Sequence, residues 1–275
     1  MIFAAGLGTR LKPLTDTMPK ALVPLAGKTL LQWQVEKLRD AGISDIIVNV
    51  HHFPDMIIDT IRRHNGWGCN IVVSDERDQL LDTGGGLRKA ITNYQSPKTE
   101  LIAPLRQRIT NREPILACNV DILSNIDLRA LVAEYERTGV SRLVVSERET
   151  QRYLCFDESD HLCGWTNIKT GEVRPSSLHH SIIPSLRKLA FSGMQILSPE
   201  ALALLSQMPQ EKFSLIDFYM AICERNQMTN DQSPYGASRS EEITNLKVYI
   251  PDAFRMMDVG KIDQIEEAER FAESL

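Results

Sequence analysis

Short apolar runs alternate with amphipathic stretches through the first half of the chain, and this alternation strongly limits the possible folds. The runs in "MIFAA", "DIIVNV", "NIVVS", "PILACNVDIL" and "SRLVVSE" are typical of strands buried on both faces. Between them, stretches such as "TLLQWQVEKLRDAG" and "IDLRALVAEYERTG" place apolar residues at helical spacing. This β-α-β-α order predicts an α/β fold with a mixed, mainly parallel sheet flanked by helices.

The second half of the chain follows a different pattern. "QRYLCFDESDHLCGWTNIKTGEV" predicts a β-meander, and "LAFSGMQIL" predicts a strand followed by two helices. "NLKVYIP" and "FRMMDVG" predict a last strand pair, and "KIDQIEEAERFAES" predicts a closing helix. We expect a single domain over residues 1–275, with halves at about 1–148 and 149–275 and mobile loops at 96–113 and 228–243.

Composition excludes several classes of protein. The net charge of −5 and the pI near 5.7 argue against a surface that coats nucleic acid. No apolar run approaches the roughly 20 residues of a membrane-spanning helix, and the start lacks the features of a signal peptide. Five cysteines without a CxxC spacing predict free thiols in a reduced, cytoplasmic setting.

The segment after the first strand is rich in glycine and carries two cations. Gly6 and Gly8 allow the backbone to approach a ligand closely, and their amides suit an anion. Arg10 and Lys20 bring permanent positive charge to the same region. The loop therefore predicts a polyphosphate ligand, whereas the plainer alternative is a surface turn with incidental charges.

Two common phosphate-binding motifs do not match this loop. The dinucleotide fingerprint needs a glycine where the chain has Leu11, and the P-loop needs one at Leu22. The chain instead reads A-A-G-x-G-T-R-x-x-P-L-T and then M-P-K-A-L-V-P-L-A-G-K. This long gapless pattern resembles the signature of the sugar-phosphate nucleotidyltransferase family, which implies a Rossmann-like nucleotidyltransferase fold with a smaller β-rich, sugar-binding half.

The resemblance assigns roles to two segments. In that family the glycine-rich loop holds the β- and γ-phosphates of a nucleoside triphosphate, and the lysine neutralises charge near the α-phosphate. "LLDTGGGLRKA" resembles the segment around the nucleobase, and its consecutive glycines are expected to leave free amides and room for a flat ring. The implied nucleotide-binding residues are Ala5, Gly6, Gly8, Thr9, Arg10, Lys20, Asp82, Thr83, Gly84 and Gly85.

Two aspartates that are distant in sequence are candidate metal ligands. Asp121 follows the strand in "CNVDIL", although this chain has Val120 where the family usually has glycine. Asp258 lies in "FRMMDVG" and matches the family's second metal-binding aspartate. Carboxylate oxygens suit Mg²⁺, so the resemblance implies a magnesium cofactor held by these two acids.

The residues expected to bind the acceptor sugar lie in segments whose resemblance to the family is weaker. "FSGMQILSPE" and "EKFSLIDFY" resemble family segments near the sugar, but core packing or helix capping explains them as well. The V-E-K-P lysine that grips the sugar phosphate in many members is absent. The candidate sugar-binding residues are Asn119, Phe191, Ser192, Gly193, Lys212 and Asp217.

Histidine and cysteine do not indicate another chemistry. Adjacent strand residues point to opposite faces, so the pairs His51-His52 and His179-His180 do not predict a transition-metal site. Cys118 is expected to be a small packed residue.

The reaction implied is transfer of a nucleotide to a sugar 1-phosphate. Such a phosphate is already ionised and needs no general base, so catalysis is expected to rest on Arg10, Lys20 and Asp121 with Mg²⁺.

The chain most resembles N-acetylmuramate-1-phosphate uridylyltransferases, whose product serves cell-wall synthesis, with mannose-1-phosphate guanylyltransferases as the alternative. A non-catalytic regulatory or scaffold subunit is the alternative of another class. The partners expected are a nucleoside triphosphate and a sugar 1-phosphate, with no nucleic acid or membrane, in a monomer or small homo-oligomer.

Overall fold

The computed structural model describes residues 1–95, 113–178, 182–231 and 245–275. Residues 96–112 and 232–243 of the two predicted mobile loops lie outside these residues, and so does the second histidine pair. Residues 228–231 are helical, so the prediction of a loop there is wrong.

The strands form one large mixed sheet and two short pairs. They are β1 Ile2–Phe3, β2 Pro24–Leu25, β3 Lys28–Thr29, β4 Asp45–Val50, β5 Asn70–Asp75, β6 Ile115–Asn119, β7 Ile122–Ser124, β8 Ser141–Ser146, β9 Arg152–Phe156, β10 Leu162–Asn167, β11 Glu172–Arg174, β12 Arg187–Leu197, β13 Leu246–Tyr249 and β14 Met256–Asp258. The α-helices are α1 Leu30–Asp40, α2 Pro54–Arg63, α3 Asp82–Gln95, α4 Leu128–Thr138, α5 Pro199–Ser206, α6 Leu215–Asp231 and α7 Ile265–Glu273. The predicted α/β class, with helices flanking a mixed and mainly parallel sheet, is confirmed.

The order of strands along the main sheet is β11-β10-β9-β12-β6-β1-β4-β5, with β8 against β12 and β13 against β8. β1 lies between β4 and β6 and is parallel to both, so that Phe3 is opposite Asn49 and Asn119. The carboxyl ends of these three strands therefore meet at one edge of the sheet. In α/β sheets this is the edge at which ligands bind.

The two faces of the central strands are both covered, which explains their continuous apolar sequences. Ile2 packs in a hydrophobic cluster with α1, α2, α4 and α7, whereas its neighbour Phe3 packs with α3, α5 and α6. The same switch occurs between Ile47 and Val48 on β4. Because successive strand residues point to opposite faces, a strand between two helical layers needs apolar residues at every position.

The long strand β12 joins the two halves of the chain. It is antiparallel to β6 on one side, and on its other side it pairs first with β9 and then with β8. β9, β10 and β11 form the predicted antiparallel meander. Because β8 and β6 are both antiparallel to β12, β8 ends at the same edge of the sheet as β6. The division of the domain at about residue 148 stays a prediction.

Two predictions about strands are wrong. "PILACNVDIL" forms two strands, because the chain leaves the main sheet after Asn119 and β7 pairs with β14 instead. β13 and β14 do not pair with each other, since β13 lies parallel to β8. The apolar pattern identified the strands, but their partners lie far away in the sequence, where a local pattern carries no information.

Two further sequence predictions concern the membrane and the thiols. No helix in the described ranges has the length and apolarity needed to cross a bilayer. All five cysteines are free thiols, and four of them are buried.

Candidate active site

The glycine-rich loop turns tightly above the end of β1. Gly8 has φ +64°, and a Cβ atom there would lie 2.8 Å from Cγ2 of Thr15 and 3.1 Å from Cβ of Lys20. The Thr15 hydroxyl and the Leu11 amide both donate to the Gly8 carbonyl, at 2.9 and 2.8 Å. A side chain at position 8 is therefore excluded by both the backbone conformation and the available space. The loop is held against the turn that carries Lys20.

Lys20 and Asp121 form an ion pair beneath this loop. Lys20 begins a 3₁₀ turn after Pro19, and its ammonium donates to Oδ2 of Asp121 directly after β6. The two side chains are only 11% and 17% exposed. The attraction between them is therefore screened less than that of a surface pair. The structure thus brings together two residues that are predicted to be catalytic.

Asp258 lies beside Asp121 because of the strand pairing of β7 with β14. Asp258 is opposite Ile122, and the Val259 amide donates to the Asp121 carbonyl at 2.9 Å. Arg10 reaches the other side of Asp258, with 3.9 Å between its Nη2 and Oδ2. Four charged residues predicted from distant parts of the sequence therefore meet at one place.

The charge around Asp258 bears on metal binding. Burial and the neighbouring Asp121 carboxylate raise the pKa of Asp258, while Lys20, Arg10 and Arg148 act in the opposite direction. The carboxylates of Asp121 and Asp258 repel each other, and a bound cation would relieve this repulsion because it stabilises both ionised groups. In the described part of the chain there is no group of three or more histidine, cysteine or acidic residues arranged for a metal ion. The pair fits Mg²⁺, which keeps several waters and takes its other ligands from phosphate.

A cavity of about 250 Å³ opens between these residues and the sheet edge. The loops that follow β1, β6 and β14 converge on it. Its lining residues are Phe3, Ala4, Gly6, Gly8, Thr9, Arg10, Lys20, Thr83, Asn119, Val120, Asp121 and Gly260. Ala5 is buried and does not belong to this lining, and among the predicted nucleobase residues only Thr83 does.

Glycine at position 260 lets Arg10 approach Asp258. A Cβ atom at Gly260 would lie 2.7 Å from Nη2 of Arg10 and 2.7 Å from Oδ1 of Asp258. A side chain would force these two charged groups apart. The glycine that follows Asp258 in "DVG" is therefore needed for the cluster.

The predicted free amides of the triple glycine are not free, so that expectation is wrong. The amides of Gly84 and Gly85 donate to the Phe213 carbonyl at 2.9 and 3.0 Å. A Cβ atom at Gly84 would lie 2.5 Å from the Phe213 ring, and one at Gly85 would lie 2.5 Å from the Glu211 carbonyl oxygen. The glycines allow the start of α3 to pack closely against residues 211–213. Asp82 is exposed beside them, with its carboxylate bound to the Thr83 amide.

A buried glutamate, which the sequence analysis missed, ties this segment to the sheet. Glu76 is fully buried and accepts hydrogen bonds from the Asn49 amide group at 2.8 Å and from the Leu81 backbone at 3.2 Å. Asn49 in turn accepts from the backbone of Ala4 at 2.8 Å. Burial raises the pKa of Glu76. Its position directly after β5 was the one sequence feature that could have identified Glu76. Nothing in the sequence showed that this acid would be buried.

Two of the predicted sugar-binding residues meet at a bulge in β12. The register of β12 against β8 shifts between Phe191 and Gln195, and Gly193 within this bulge has φ +69°. A Cβ atom at Gly193 would lie 2.9 Å from Nδ2 of Asn119, which lines the cavity. The bulge therefore brings the F-S-G segment against the end of β6.

The other residues of that segment point into the protein. Ser192 is buried, and its hydroxyl has no hydrogen-bond partner within the described residues. Phe191 packs edge-on against Tyr219, with 6.2 Å between ring centroids. Neither side chain lines the cavity.

The last two acceptor candidates lie elsewhere. Lys212 is exposed and does not line the cavity. Asp217 accepts from the amide and hydroxyl of Ser214, both at 2.8 Å, and Ser214 accepts from the Asp217 amide. Arg174 binds the same carboxylate at 2.6 Å. Burial alone would raise the pKa of Asp217, but the hydrogen bonds from Arg174 and Ser214 hold it below its usual value. Asp217 forms a capping box at the start of α6, and a role with sugar stays a prediction.

Arg148 is an additional cation that the sequence analysis did not single out. It follows the end of β8 at the same edge of the sheet, and its Nη2 donates to the Phe191 carbonyl at 3.0 Å. A basic residue just after "SRLVVS" was the only signal.

The first histidine pair and Cys118 have ordinary structural roles. His51 contacts the Glu76 carbonyl at 2.7 Å, and His52 contacts the Thr15 carbonyl at 3.1 Å. Burial raises the pKa of the Cys118 thiol, which disfavours the reactive thiolate form.

Comparison with known proteins agrees with this geometry. The family model described as "Nucleotidyl transferase" matches residues 1–153. N-acetylmuramate alpha-1-phosphate uridylyltransferase of Caulobacter vibrioides is 30% identical over 231 residues, covering 80% of this chain and 81% of that protein. Mannose-1-phosphate guanyltransferase 2 of Candida glabrata is 26% identical over 215 residues, covering 76% of this chain and 52% of that protein.

Solved structures show the same fold at lower sequence identity. HddC from Yersinia pseudotuberculosis complexed with GMP-PN has a TM-score of 0.65 and 20% identity, covering 98% of this chain and 97% of the other. A UDP-glucose pyrophosphorylase has a TM-score of 0.67 and 16% identity, covering 100% and 98%.

Proposed function

The chain belongs to the nucleotidyl transferase family and is a sugar-1-phosphate nucleotidyltransferase, and on this premise we propose that it uses UTP and N-acetylmuramate 1-phosphate, or a similar sugar 1-phosphate. The products would be a nucleotide-sugar and pyrophosphate. One observation carries the proposed chemistry: Arg10, Lys20 and Asp121 line one cavity beside the glycine-rich loop, and Asp258 pairs with Arg10 next to it. The relative from Caulobacter vibrioides supports the choice of substrates.

Two anions must be brought together in this reaction, so repulsion is the main obstacle. A phosphate oxygen of the sugar 1-phosphate forms a bond to the α-phosphorus, and the bond from that phosphorus to pyrophosphate breaks. The attacking phosphate is largely ionised near pH 7, because its second pKa is about 6, and no base is needed. Lys20, paired with Asp121, would offset charge on the α-phosphate, while Arg10 and the loop amides would bind the outer phosphates.

Asp121 and Asp258 would hold Mg²⁺ at this cavity. When bound, the ion would neutralise phosphate charge and help to orient the triphosphate. Two adjacent carboxylates support this assignment, as does the effect of Asp121 on the pKa of its neighbour. The Arg10 contact at 3.9 Å leaves Asp258 only loosely paired.

Transfer of guanylate to mannose 1-phosphate is the second candidate. The relative from Candida glabrata favours it, although the identity is lower than for the uridylyltransferase. The base is predicted to lie near α3, but the buried glycines there do not distinguish uracil from guanine.

Pyrophosphate release with a panel of substrates tests the proposal. The purified chain is mixed with UTP or GTP, with N-acetylmuramate 1-phosphate, mannose 1-phosphate or glucose 1-phosphate, and with Mg²⁺. We expect the highest kcat/KM for UTP with N-acetylmuramate 1-phosphate and loss of turnover on addition of EDTA. Preference for GTP with mannose 1-phosphate would support the second candidate, and binding without turnover would support a scaffold.

The cytoplasmic location, the link to cell-wall synthesis and a monomeric or small homo-oligomeric state stay predictions. Each can be measured directly, by fractionation, by metabolite analysis of a deletion strain and by light scattering of the purified protein.

A further inference from the structure

The acceptor in the proposed reaction carries a phosphate dianion, and the chain lacks the lysine motif that binds it in many relatives. Arg10 and Lys20 lie on the β1 side of the two acids. The acceptor phosphate therefore needs a cation on the opposite side of the two acids.

Arg148 lies on that opposite side. Across the sheet the order is β1, β6, β12 and then β8, and Arg148 follows the carboxyl end of β8. Asn119 at the end of β6 and Gly193 on β12 lie between Arg148 and the glycine-rich loop. β6 and β12 therefore separate the strand that precedes Arg148 from β1, whose loop carries Arg10.

The contact of Arg148 with β12 fixes its position and leaves donors for a ligand. Nη2 donates to the Phe191 carbonyl at 3.0 Å, and this is its one side-chain hydrogen bond within the described residues. A guanidinium has five N–H donors, so the remaining ones are available for a bidentate contact with phosphate. The side chain is exposed, so these donors are accessible to a ligand.

The in-line geometry of phosphoryl transfer indicates which substrate group Arg148 would contact. Attacking and leaving oxygens lie roughly in line on opposite sides of the phosphorus. If the outer phosphates of the triphosphate lie at Arg10 and the glycine-rich loop, the attacking phosphate must approach from the β12 and β8 side.

We propose that Arg148 binds the phosphate of the acceptor sugar 1-phosphate and aligns it for attack. This inference rests on the proposed function, because it assigns one substrate group to one residue of the same site. It explains how a chain without the lysine motif holds a dianionic acceptor.

Steady-state kinetics of Arg148→Ala and Arg148→Lys test the proposal. A charge-assisted contact is worth about 1.5–3 kcal/mol, so we expect KM for N-acetylmuramate 1-phosphate to rise roughly 10- to 100-fold in Arg148→Ala. KM for UTP should stay within about twofold of wild type, because β6 and β12 lie between the strand before Arg148 and β1, whose loop is proposed to bind the outer phosphates. Arg148→Lys keeps a point charge without the fork of donors and should give an intermediate KM.

Arg62→Ala is the matched control, since it removes one exposed positive charge from α2, away from the sheet edge. Thermal melting of every variant checks that the fold is intact. An unchanged acceptor KM in Arg148→Ala, or a rise in KM for UTP instead, overturns the proposal.

Direct binding separates this proposal from the proposed function. Calorimetric titration of N-acetylmuramate 1-phosphate and mannose 1-phosphate measures acceptor affinity without turnover. Weaker binding to Arg148→Ala than to wild type supports the role of Arg148 even if the panel assay finds no product. Equal binding to both proteins, or no binding to wild type at millimolar concentration, overturns it.

Discussion

The two sides of the cavity, proposed to bind the nucleotide and the acceptor, are held together by different means. On the nucleotide side, Lys20 is paired with Asp121 and Arg10 with Asp258, and close packing at Gly8 fixes the loop. On the proposed acceptor side, the β-bulge at Gly193 packs closely against Asn119, which lines the cavity. Of the six predicted acceptor residues, only Asn119 lines the cavity.

This difference teaches where function can be recognised from sequence. A phosphate-binding loop works through its own backbone and nearby charges, so its motif is contiguous and carries its own geometry. A sugar site is assembled from strand faces and bulges, and a short motif there describes core packing as well as it describes binding. Four substitutions test this contrast.

The largest effect is expected for Asp121→Asn. The change removes the partner of Lys20 and one proposed magnesium ligand, so kcat should fall about 10²- to 10³-fold. Asp59→Asn on the exposed face of α2 is the control, because its side chain is 63% exposed. If Asp121→Asn keeps turnover within about fivefold of wild type, the charge cluster is not the catalytic centre.

Gly84→Ala tests the packing of the nucleobase segment. Its Cβ atom would lie 2.5 Å from the Phe213 ring and 2.9 Å from the Phe213 carbonyl oxygen, which should cost about 1–3 kcal/mol of unfolding free energy. Because α3 must shift to make room, we also expect KM for UTP to rise roughly tenfold, measured by pyrophosphate release. A loss of stability with unchanged KM for UTP would show that the segment only supports the fold.

Gly193→Ala tests the β-bulge on the acceptor side. The left-handed conformation, φ +69°, and the close approach to Asn119 should together raise KM for the sugar 1-phosphate several-fold. Gly139→Ala is a matched control, because Gly139 has φ +68° with no atom within 4 Å of its Cβ position. Both variants should lose about 1–2 kcal/mol of stability, but only Gly193→Ala should change the acceptor KM. Equal kinetics for the two variants would remove the bulge from the acceptor site.

The smallest kinetic effect is expected for Asp217→Asn. Loss of the capping box and of the Arg174 ion pair should lower the unfolding free energy by about 1 kcal/mol, measured with urea. KM for the sugar 1-phosphate should stay within about twofold of wild type. A tenfold rise in that KM would restore Asp217 to the acceptor site.

Much of the fold was predictable because the helical and strand periods are strong in the sequence. "DIIVNV" corresponds to β4, and the closing helix contains α7. The pairing of β14 with β7 was not predictable, and neither was the split of the strand before it, because both depend on contacts between distant segments. The amides of Gly84 and Gly85 were wrongly expected to be free for the same reason. They donate to the Phe213 carbonyl, which is distant in the sequence.

The amino-acid sequence by itself determined the α/β class, the glycine-rich loop after the first strand and the identity of the four charged residues. These follow from local period, from backbone freedom at glycine and from charge, all of which are properties of short segments. Only the tertiary structure decided that Asp121 and Asp258 are neighbours, that Glu76 is buried and that β6 and β12 separate the strand before Arg148 from β1. Distance and burial are set by the packing of elements far apart in the chain, so no local pattern contains them.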